Sequence, residues 1–203
     1  PFIEVQNIIP DHQFGFRLQH GTPEQCHRIV DVITDTLERK LYCSAVFLDV
    51  QQAFDRVWHL GLLYKIKKML PAPFYFILKS YLIDRQFYVN INDENSNFGI
   101  IKSGVPQGSV LGPVLYTIFT SDMPSMDGIT ICTYADDTAI LASNESPTQA
   151  SNIVQQEIDL IHNWLQNWNI KINAEKSIHV TFTLRKEDCP PIFLNGTRIP
   201  KQS

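Results

Sequence analysis

The 203 residues of the chain are enough for one globular domain, or two small ones, to bury a hydrophobic core without disulfides or metals. Hydrophobic residues make up 44% of the sequence and charged residues 19%, which excludes a disordered chain, and no apolar run approaches the roughly 18–20 residues of a membrane span. The net charge of −4 argues against a protein that holds nucleic acid by its overall charge, so a nucleic-acid role must be local or depend on further segments.

The first half of the chain predicts a helix, a strand and two more helices. Thr22-Pro23-Glu24-Gln25 is a capping box with proline at the first helical position, and it starts a helix whose apolar residues recur at helical spacing. The members of that apolar face are Cys26, Ile29, Val30, Ile33 and Leu37. The apolar run at residues 45–48 predicts a buried strand that ends at Asp49. Helices are expected over about residues 53–70, where prolines stop the first one, and over residues 74–82.

A pair of strands and a turn-rich segment follow the second of these helices. The strands are expected at residues 86–91 and 98–102, joined by a polar loop. The turn-rich segment at residues 103–109 opens a helix that runs to about Phe119. This stretch therefore predicts two strands, a turn and a helix.

The last third of the chain predicts two hairpins, a strand and a long amphipathic helix. Residues 129–141 indicate a hairpin with the pair Asp136-Asp137 at its tip. Ser146-Pro147-Thr148-Gln149 is a second capping box, a strand is expected at 178–183, and an Asn-Gly turn marks a hairpin at 193–199. The apolar face of the long helix consists of Val154, Ile158, Ile161, Leu165 and Trp168. The elements together predict an α+β fold, a largely antiparallel sheet supported by helices.

The cysteines and the amino terminus bear on the compartment. Four widely spaced cysteines form no C-x-x-C pair, so we expect neither a zinc site nor a disulfide framework. A reducing intracellular compartment is then the default, and the sequence does not distinguish cytoplasm from nucleus. The start, Pro1-Phe2-Ile3-Glu4, lacks the basic flank and apolar stretch of a signal peptide. The missing initiator Met suggests a piece of a longer protein.

Three carboxylates lie at the ends of two predicted core strands. Asp49 alone is more typical of a helix cap, and the pair Asp136-Asp137 alone is typical of a turn. Together they provide the oxygen ligands that Mg²⁺ prefers, a few carboxylates completed by substrate phosphates. Two such ions can activate a 3′-hydroxyl and stabilise a leaving pyrophosphate in an in-line displacement. The sequence therefore favours a two-metal phosphoryl-transfer site, provided that the three acids converge.

Five blocks stand in order over most of the chain: QFGFR at 13–17 with HGT at 20–22, FLDVQQAFDRVWH at 47–59, SGVPQGSVLGP at 103–113, YADD at 134–137 and INAEKS at 172–177. These blocks resemble those of reverse transcriptases, and in form they are similar to the enzymes of non-long-terminal-repeat retrotransposons (LINE-like, jockey type). A tetrapeptide with two acids is a weak signal, whereas five ordered blocks are a specific one.

The resemblance implies an RNA-directed DNA polymerase, a nucleotidyltransferase that adds deoxynucleotides to a primer 3′ end. The implied fold is a right-hand palm, an antiparallel sheet backed by helices, with partial fingers and without a thumb. Residues 1–203 would form one reverse transcriptase domain, with about 1–43 and 71–102 on the fingers side and about 44–70 and 103–203 in the palm. Its implied partners are an RNA template, a DNA primer, deoxynucleoside triphosphates and the rest of a retrotransposon polyprotein, including an endonuclease and a thumb. No membrane is involved.

The resemblance also implies roles for individual residues. Two Mg²⁺ ions, with Mn²⁺ as a substitute, would be held by Asp49 and Asp136, with Asp137 as a weaker ligand and the Val50 carbonyl assisting. Those three acids and Lys176, which would protonate the leaving pyrophosphate, form the implied catalytic set. The implied nucleotide-binding set comprises Phe54, Gln107, Gly108 and Arg17. Within it, the Phe54 ring would exclude a ribose 2′-hydroxyl and Gln107 would contact the incoming nucleotide or the template.

Two departures from the family pattern leave alternatives open. Gln52 stands where many relatives have lysine, and the chain ends at Ser203, where the family continues into a primer grip and thumb. A catalytically inactive relic of such an element is one alternative. An RNA-copying RNA polymerase, which shares the palm and its acids, is another, and Phe54 argues against it. A metal-binding regulatory module explains the acids but not the loop that carries Gln107.

Overall fold

The computed structural model of the protein describes residue 6 and residues 8–202, so the Pro1-to-Glu4 segment considered above lies outside the described residues. The described residues divide into two compact units. One unit consists of Gln52–Ser121 together with residues 6 and 8, and the other combines Ile9–Gln51 with residues 122–202. Within this described part of the chain, every helix is too short or too polar to cross a membrane.

The second unit is built on a five-stranded sheet. In spatial order the strands are β11 (Lys201–Gln202), β8 (Ile178–Phe182), β1 (Tyr42–Leu48), β7 (Asp137–Asn144) and β6 (Thr130–Tyr134). All neighbouring pairs are antiparallel except β11 with β8, which is parallel. The expected antiparallel sheet and its hairpin are thus confirmed.

Helices cover both faces of this sheet, which explains why β1 is buried at nearly every position and is apolar except at Ser44. Val46 and Leu48 belong to the core beneath helix α5 (Pro147–Asn167). Cys43 and Ala45 belong to the core beneath helix α1 (Thr22–Glu38). Because successive side chains of a strand point to opposite faces, a strand covered on both sides needs apolar residues at nearly every position.

Helix α1 differs from its prediction in its start and in its buried face. Its N-cap is Gly21, one residue earlier than expected, and the backbone N of Gly21 donates to Glu24 Oε2 at 3.0 Å. Only this half of a capping box forms, because glycine has no side chain to accept a hydrogen bond in return. Two residues of the expected apolar face, Cys26 and Val30, are exposed. The buried positions are instead polar, Gln25 and Thr36, because their side chains hydrogen-bond to neighbouring groups.

Helix α5 and the last hairpin follow their predictions. Ser146 is the N-cap of α5 and its Oγ accepts a hydrogen bond from Gln149 N. The expected apolar face is buried on the sheet from Val154 to Leu165. Its last expected member, Trp168, is instead the C-cap of the helix and is half-buried. Strands β9 (Phe193–Leu194) and β10 (Thr197–Arg198) pair around the Asn-Gly turn, in which both residues have positive φ.

The unit Gln52–Ser121 contains three helices and four two-residue strands. The helices are α2 (His59–Met69), α3 (Ala72–Leu82) and α4 (Leu111–Thr120). Strand β2 (Gln86–Phe87) pairs with β5 (Gly99–Ile100), and β3 (Asn90–Ile91) pairs with β4 (Glu94–Asn95). The two longer strands that the sequence predicted are therefore broken, because the polar loop contributes a strand of its own.

Helix α2 begins six residues later than the sequence predicted. The predicted start, Ala53, lies in a series of turns, and Trp58 is extended with φ −72° and ψ 111°. Trp58 forms an antiparallel bridge with Ser103, which is far away in sequence. Because that bridge needs extended backbone, the helix cannot include this position.

Candidate active site

The strand register brings the three predicted acids to one end of the sheet. Leu48, the last residue of β1, pairs with Thr138 of β7. Asp49 follows Leu48 and Asp137 precedes Thr138, so the two aspartates leave neighbouring strands at the same end. Tyr134 pairs with Asp137 across the hairpin, which places Asp136 in its two-residue turn. The register therefore places Asp49, Asp136 and Asp137 at the same end of the sheet.

The charges of these acids act on one another. Although Asp137 is exposed to solvent, partial desolvation raises the pKa of its carboxyl above the ordinary value, and the negative charges of Asp136 and Asp49 raise it further. Like-charged carboxylates disfavour each other's ionised form, and a cation between them removes that penalty. The site is therefore electrostatically suited to a positive ligand.

The carboxylate oxygens of these acids are the kind of ligand that hard divalent cations prefer. Among the described residues, no three His, Cys, Asp or Glu side chains are grouped closely enough to hold a metal ion by themselves. Mg²⁺ is usually bound by one or two carboxylates and completes its shell with water and substrate phosphates. The acids at this end of the sheet offer oxygen ligands and negative charge, which is the chemistry such an ion requires.

The end of β1 is fixed through its backbone. Asp49 N donates to Ser177 Oγ at 3.1 Å, and Asn173 N donates to Asp49 O at 2.9 Å. Gln51 N donates to Lys171 O at 2.8 Å, which completes an antiparallel bridge between Val50 and Ile172. Neither hydrogen bond of this bridge uses the carbonyl oxygen of Val50.

Lys176 lies on the turn that holds Asp49. Its backbone N donates to Asn173 Oδ1 at 3.4 Å, and the next residue, Ser177, accepts from Asp49 N. The lysine side chain itself is exposed. The structure thus brings this predicted residue to the segment beside Asp49, with its ammonium group in solvent.

The side chain of Arg17 forms hydrogen bonds within the loop that contains it. Its Nη1 donates to the carbonyl oxygens of Pro10 and Gln13, at 3.2 and 3.1 Å. The side chain is half-buried, so it braces the segment 10–17 from within. A contact of Arg17 with a nucleotide stays a prediction.

The predicted nucleotide-binding residues of the other unit lie where the loop 103–109 docks on the segment after β1. Val105 N donates to Phe54 O at 2.8 Å, and the Phe54 ring stacks on Tyr116 with centroids 4.7 Å apart. Gln107 Nε2 donates to Asp55 Oδ1 at 2.8 Å. Gly108 is exposed and has φ +80°, a conformation that favours glycine.

Two side-chain hydrogen bonds near the predicted site residues were not predicted from the sequence. The carboxylate of Asp55 fixes the amide of Gln107, because only the NH₂ end of that amide can face a carboxylate. The side chain of Gln13 bonds to the backbone of Ala135, 122 residues away. Both residues fall inside the quoted sequence blocks, but nothing in a linear pattern shows which groups they meet.

The sequence is similar to a known family and to proteins of mobile elements. The family described as Reverse transcriptase (RNA-dependent DNA polymerase) matches residues 2–195. "RNA-directed DNA polymerase from mobile element jockey" of Drosophila melanogaster is 49% identical over 204 residues, covering 97% of this chain and 22% of that protein. "Probable RNA-directed DNA polymerase from transposon BS", also of Drosophila melanogaster, is 44% identical, covering 98% of this chain and 23% of that protein. The chain thus spans about a fifth of the length of these curated relatives.

Solved telomerase structures share the fold. Apo telomerase from Candida tropicalis, truncated from the C-terminal domain, superposes with a TM-score of 0.63 and 18% identity, covering 87% of this chain and 37% of that one. Telomerase from Candida albicans, in complex with a fragment of telomeric RNA, gives a TM-score of 0.64 and 16% identity, covering 89% of this chain and 33% of that one. The expected α+β polymerase palm, a sheet backed by helices, is confirmed.

Proposed function

The chain belongs to the reverse transcriptase family, and from that premise we propose that it is the part of an RNA-directed DNA polymerase in which nucleotide addition takes place. The observation that carries the proposal is the convergence of Asp49, Asp136 and Asp137 at one end of the central sheet. Reverse transcriptases use divalent metals, and a site of clustered carboxylates is what such metals need. The reaction adds a deoxynucleotide to a primer 3′ end and releases pyrophosphate.

The acids of the palm hold the metals in this proposal. Asp49 and Asp136 are the principal ligands, Asp137 is the weaker one, and the carbonyl oxygen of Val50 assists. When bound, two Mg²⁺ ions, or Mn²⁺ in their place, lower the pKa of the attacking hydroxyl and neutralise charge on the leaving pyrophosphate. The chain's own contribution is to fix the ligands' positions, because phosphoryl transfer depends mainly on positioning and charge.

The remaining predicted residues select and orient the nucleotide. Phe54, held by its stack on Tyr116, presents a ring that excludes a ribose 2′-hydroxyl. Gln107, with its NH₂ group held by Asp55, directs its carbonyl oxygen toward the incoming nucleotide or template. Gly108, which has no side chain, lets the backbone of this loop approach the nucleotide closely.

Two basic residues complete the proposed nucleotide site. Arg17 contributes positive charge near the triphosphate or the template. Lys176, exposed beside the segment that holds Asp49, donates a proton to the departing pyrophosphate. Both assignments follow the family pattern at these positions.

We further propose that both units belong to one reverse transcriptase domain within a longer polyprotein. Residues of about 71–102, inside the unit Gln52–Ser121, belong to the fingers together with about 1–43. The palm then consists of about 44–70 and 103–203. An RNA template, a DNA primer and deoxynucleoside triphosphates are the substrates, and the protein works inside the cell.

A primer-extension assay tests the proposal. The chain, fused to the sequence that follows the matched segment in the jockey relative of Drosophila melanogaster, is incubated with an RNA template, a DNA primer, deoxynucleotides and Mg²⁺. The expected result is extension that Asp136→Asn lowers at least about a hundredfold and that Asp31→Asn, at an exposed position of α1, leaves unchanged. If the fusion incorporates nothing, the inactive-relic alternative is correct.

The preference for deoxynucleotides over ribonucleotides distinguishes the proposed enzyme from an RNA-copying RNA polymerase. Phe54→Val removes the ring and is expected to raise ribonucleotide incorporation by about tenfold or more relative to deoxynucleotides. Phe76→Val, at a position of α3 that is 65% exposed, is the matched control and should leave the preference unchanged. An unaltered sugar preference in Phe54→Val would contradict the role assigned to that ring.

A further inference from the structure

The turn that carries the acids is strained. Ala135, which precedes Asp136 in the tip of the β6–β7 hairpin, has φ +59°. This left-handed conformation is unfavourable for any residue that has a Cβ atom, and it persists only when surrounding contacts enforce it. The direction in which the chain continues into Asp136 and Asp137 depends on it.

One buried side chain holds both backbone polar groups of this strained residue. Gln13, which is 3% exposed, accepts from Ala135 N at 3.0 Å with its Oε1 and donates to Ala135 O at 3.1 Å with its Nε2. The same Oε1 accepts from Gly15 N at 2.7 Å. Because an N–H needs an acceptor and a carbonyl needs a donor, only an amide in this orientation satisfies both groups of Ala135.

The segment around Gln13 is built for this close approach. Phe14 N donates to Thr133 O, and Thr133 N donates to His12 O, both at 2.9 Å, so the segment pairs with the end of β6. A Cβ atom at Gly15 would lie 2.2 Å from Ala135 N, a distance at which backbone atoms overlap. The absence of a side chain at position 15 therefore lets the segment reach the hairpin tip.

We propose that Gln13 is a positioning residue that keeps Ala135 in the left-handed conformation and thereby sets the affinity of the acidic site for a divalent cation. The inference rests on the proposed function in that Asp136 and Asp137 are taken as metal ligands. Gln13 acts through Ala135 and does not contact the metal. Its loss lets the turn relax and moves the carboxylates out of their common region.

The chain offers a matched control in Gln25. This glutamine is 4% exposed, and its Nε2 donates to His12 O and Thr133 O, both at 2.8 Å. It therefore braces the same segment and strand as Gln13 does, with a buried amide of the same kind. Gln25 bonds to Thr133, two residues before Ala135, and not to Ala135 itself. It therefore stabilises the pairing of the segment with β6 without constraining the conformation of the turn.

The test compares Gln13→Met with Gln25→Met in the 203-residue chain. Free Mn²⁺ is measured by electron paramagnetic resonance during a titration with the metal alone, and stability is measured by urea denaturation. Both variants are expected to lose stability, but only Gln13→Met weakens Mn²⁺ binding, by about fivefold or more, while Gln25→Met stays within about twofold. Equal binding losses in the two variants, or none in Gln13→Met, overturn the positioning role.

If the single variant Gln13→Met does not fold, the same substitution can be tested in a chain that also carries Ala135→Gly. Glycine adopts positive φ without strain, so in an Ala135→Gly background the turn no longer needs the glutamine. There, Gln13→Met should change Mn²⁺ affinity by less than about twofold, and a fivefold loss would refute the proposal. A wild-type chain whose Mn²⁺ binding is absent, or equal to that of Asp136→Asn, would refute the metal site of the proposed function and this inference with it.

Discussion

A buried imidazole in the central sheet makes the stability of the chain depend on pH. His179 of β8 is 0% exposed, and its Nε2 lies 2.9 Å from Ser44 Oγ. The pKa of His179 is lowered to about 4, mainly by burial and in part by the positive charges of Lys201 and Arg198, while the negative charge of Asp188 acts in the opposite direction. The native protein therefore keeps this side chain neutral in mildly acidic solution.

The expected magnitude follows from proton linkage. An unfolded histidine titrates near pH 6.5, so between pH 6.5 and about 4 the unfolded chain binds a proton that native His179 does not. Stability then rises with pH across this window, by up to about 1.4 kcal/mol per pH unit, and it is lost as the pH falls. From pH 7 to pH 5, His179 alone accounts for about 2 kcal/mol. Burial also lowers the pKa of His12 to about 4, which adds a contribution of the same sign.

Urea denaturation at a series of pH values between 5 and 8 measures this effect. His179→Gln is expected to be less stable than the wild type at pH 7 and to show a shallower pH dependence, by about 1 kcal/mol per pH unit. His27→Gln, at an exposed position of α1, is the control for the loss of an imidazole and should keep the wild-type slope. A slope in His179→Gln equal to that of the wild type would refute the reasoning.

Three further substitutions test the core, the site and the hairpin contact. Ile158→Ala removes a fully buried side chain between α5 and the sheet and should cost about 2–5 kcal/mol in urea denaturation, whereas Leu160→Ala, 43% exposed, should cost less than about 1 kcal/mol. Asp137→Asn removes a negative charge that is partly desolvated and is repelled by Asp136 and Asp49. Without metal the variant should therefore have a slightly higher urea midpoint, and it should bind Mn²⁺ more weakly. A lower midpoint would contradict this explanation. Gly15→Ala places a Cβ atom on Ala135 N and should cost at least about 1–3 kcal/mol, and an unchanged midpoint would show that the segment is free to move.

The sheet and its acidic end were predictable because their signals are local. An uninterrupted apolar run marks β1, since both faces of that strand are covered. Apolar strands on either side of a short turn mark the β6–β7 hairpin. Once these elements are antiparallel neighbours, the order of residues alone puts Asp49 and Asp136-Asp137 at the same end.

The errors in the helices arise from contacts between distant residues. Apolar spacing predicted that Cys26 and Val30 face the core, but α1 turns Gln25 inward because its amide meets two backbone carbonyls there. The start of α2 was placed too early because Trp58 is held extended by Ser103. In both cases a polar partner far away in sequence decides the conformation, and hydrophobic periodicity carries no information about it.

Backbone hydrogen bonds, rather than bonds to the carboxylates, position the acids of the site. The hydrogen bonds that fix Asp49 come from Ser177 and Asn173 and use its backbone N and O. Those that fix Ala135 come from Gln13 and likewise use only its backbone. These bonds position the acids without engaging carboxylate oxygens, which remain acceptors for a cation. A fold that instead paired those carboxylates with lysine or arginine would gain stability and lose affinity for the metal, so the position of each hydrogen bond on the backbone is itself a requirement of the proposed function.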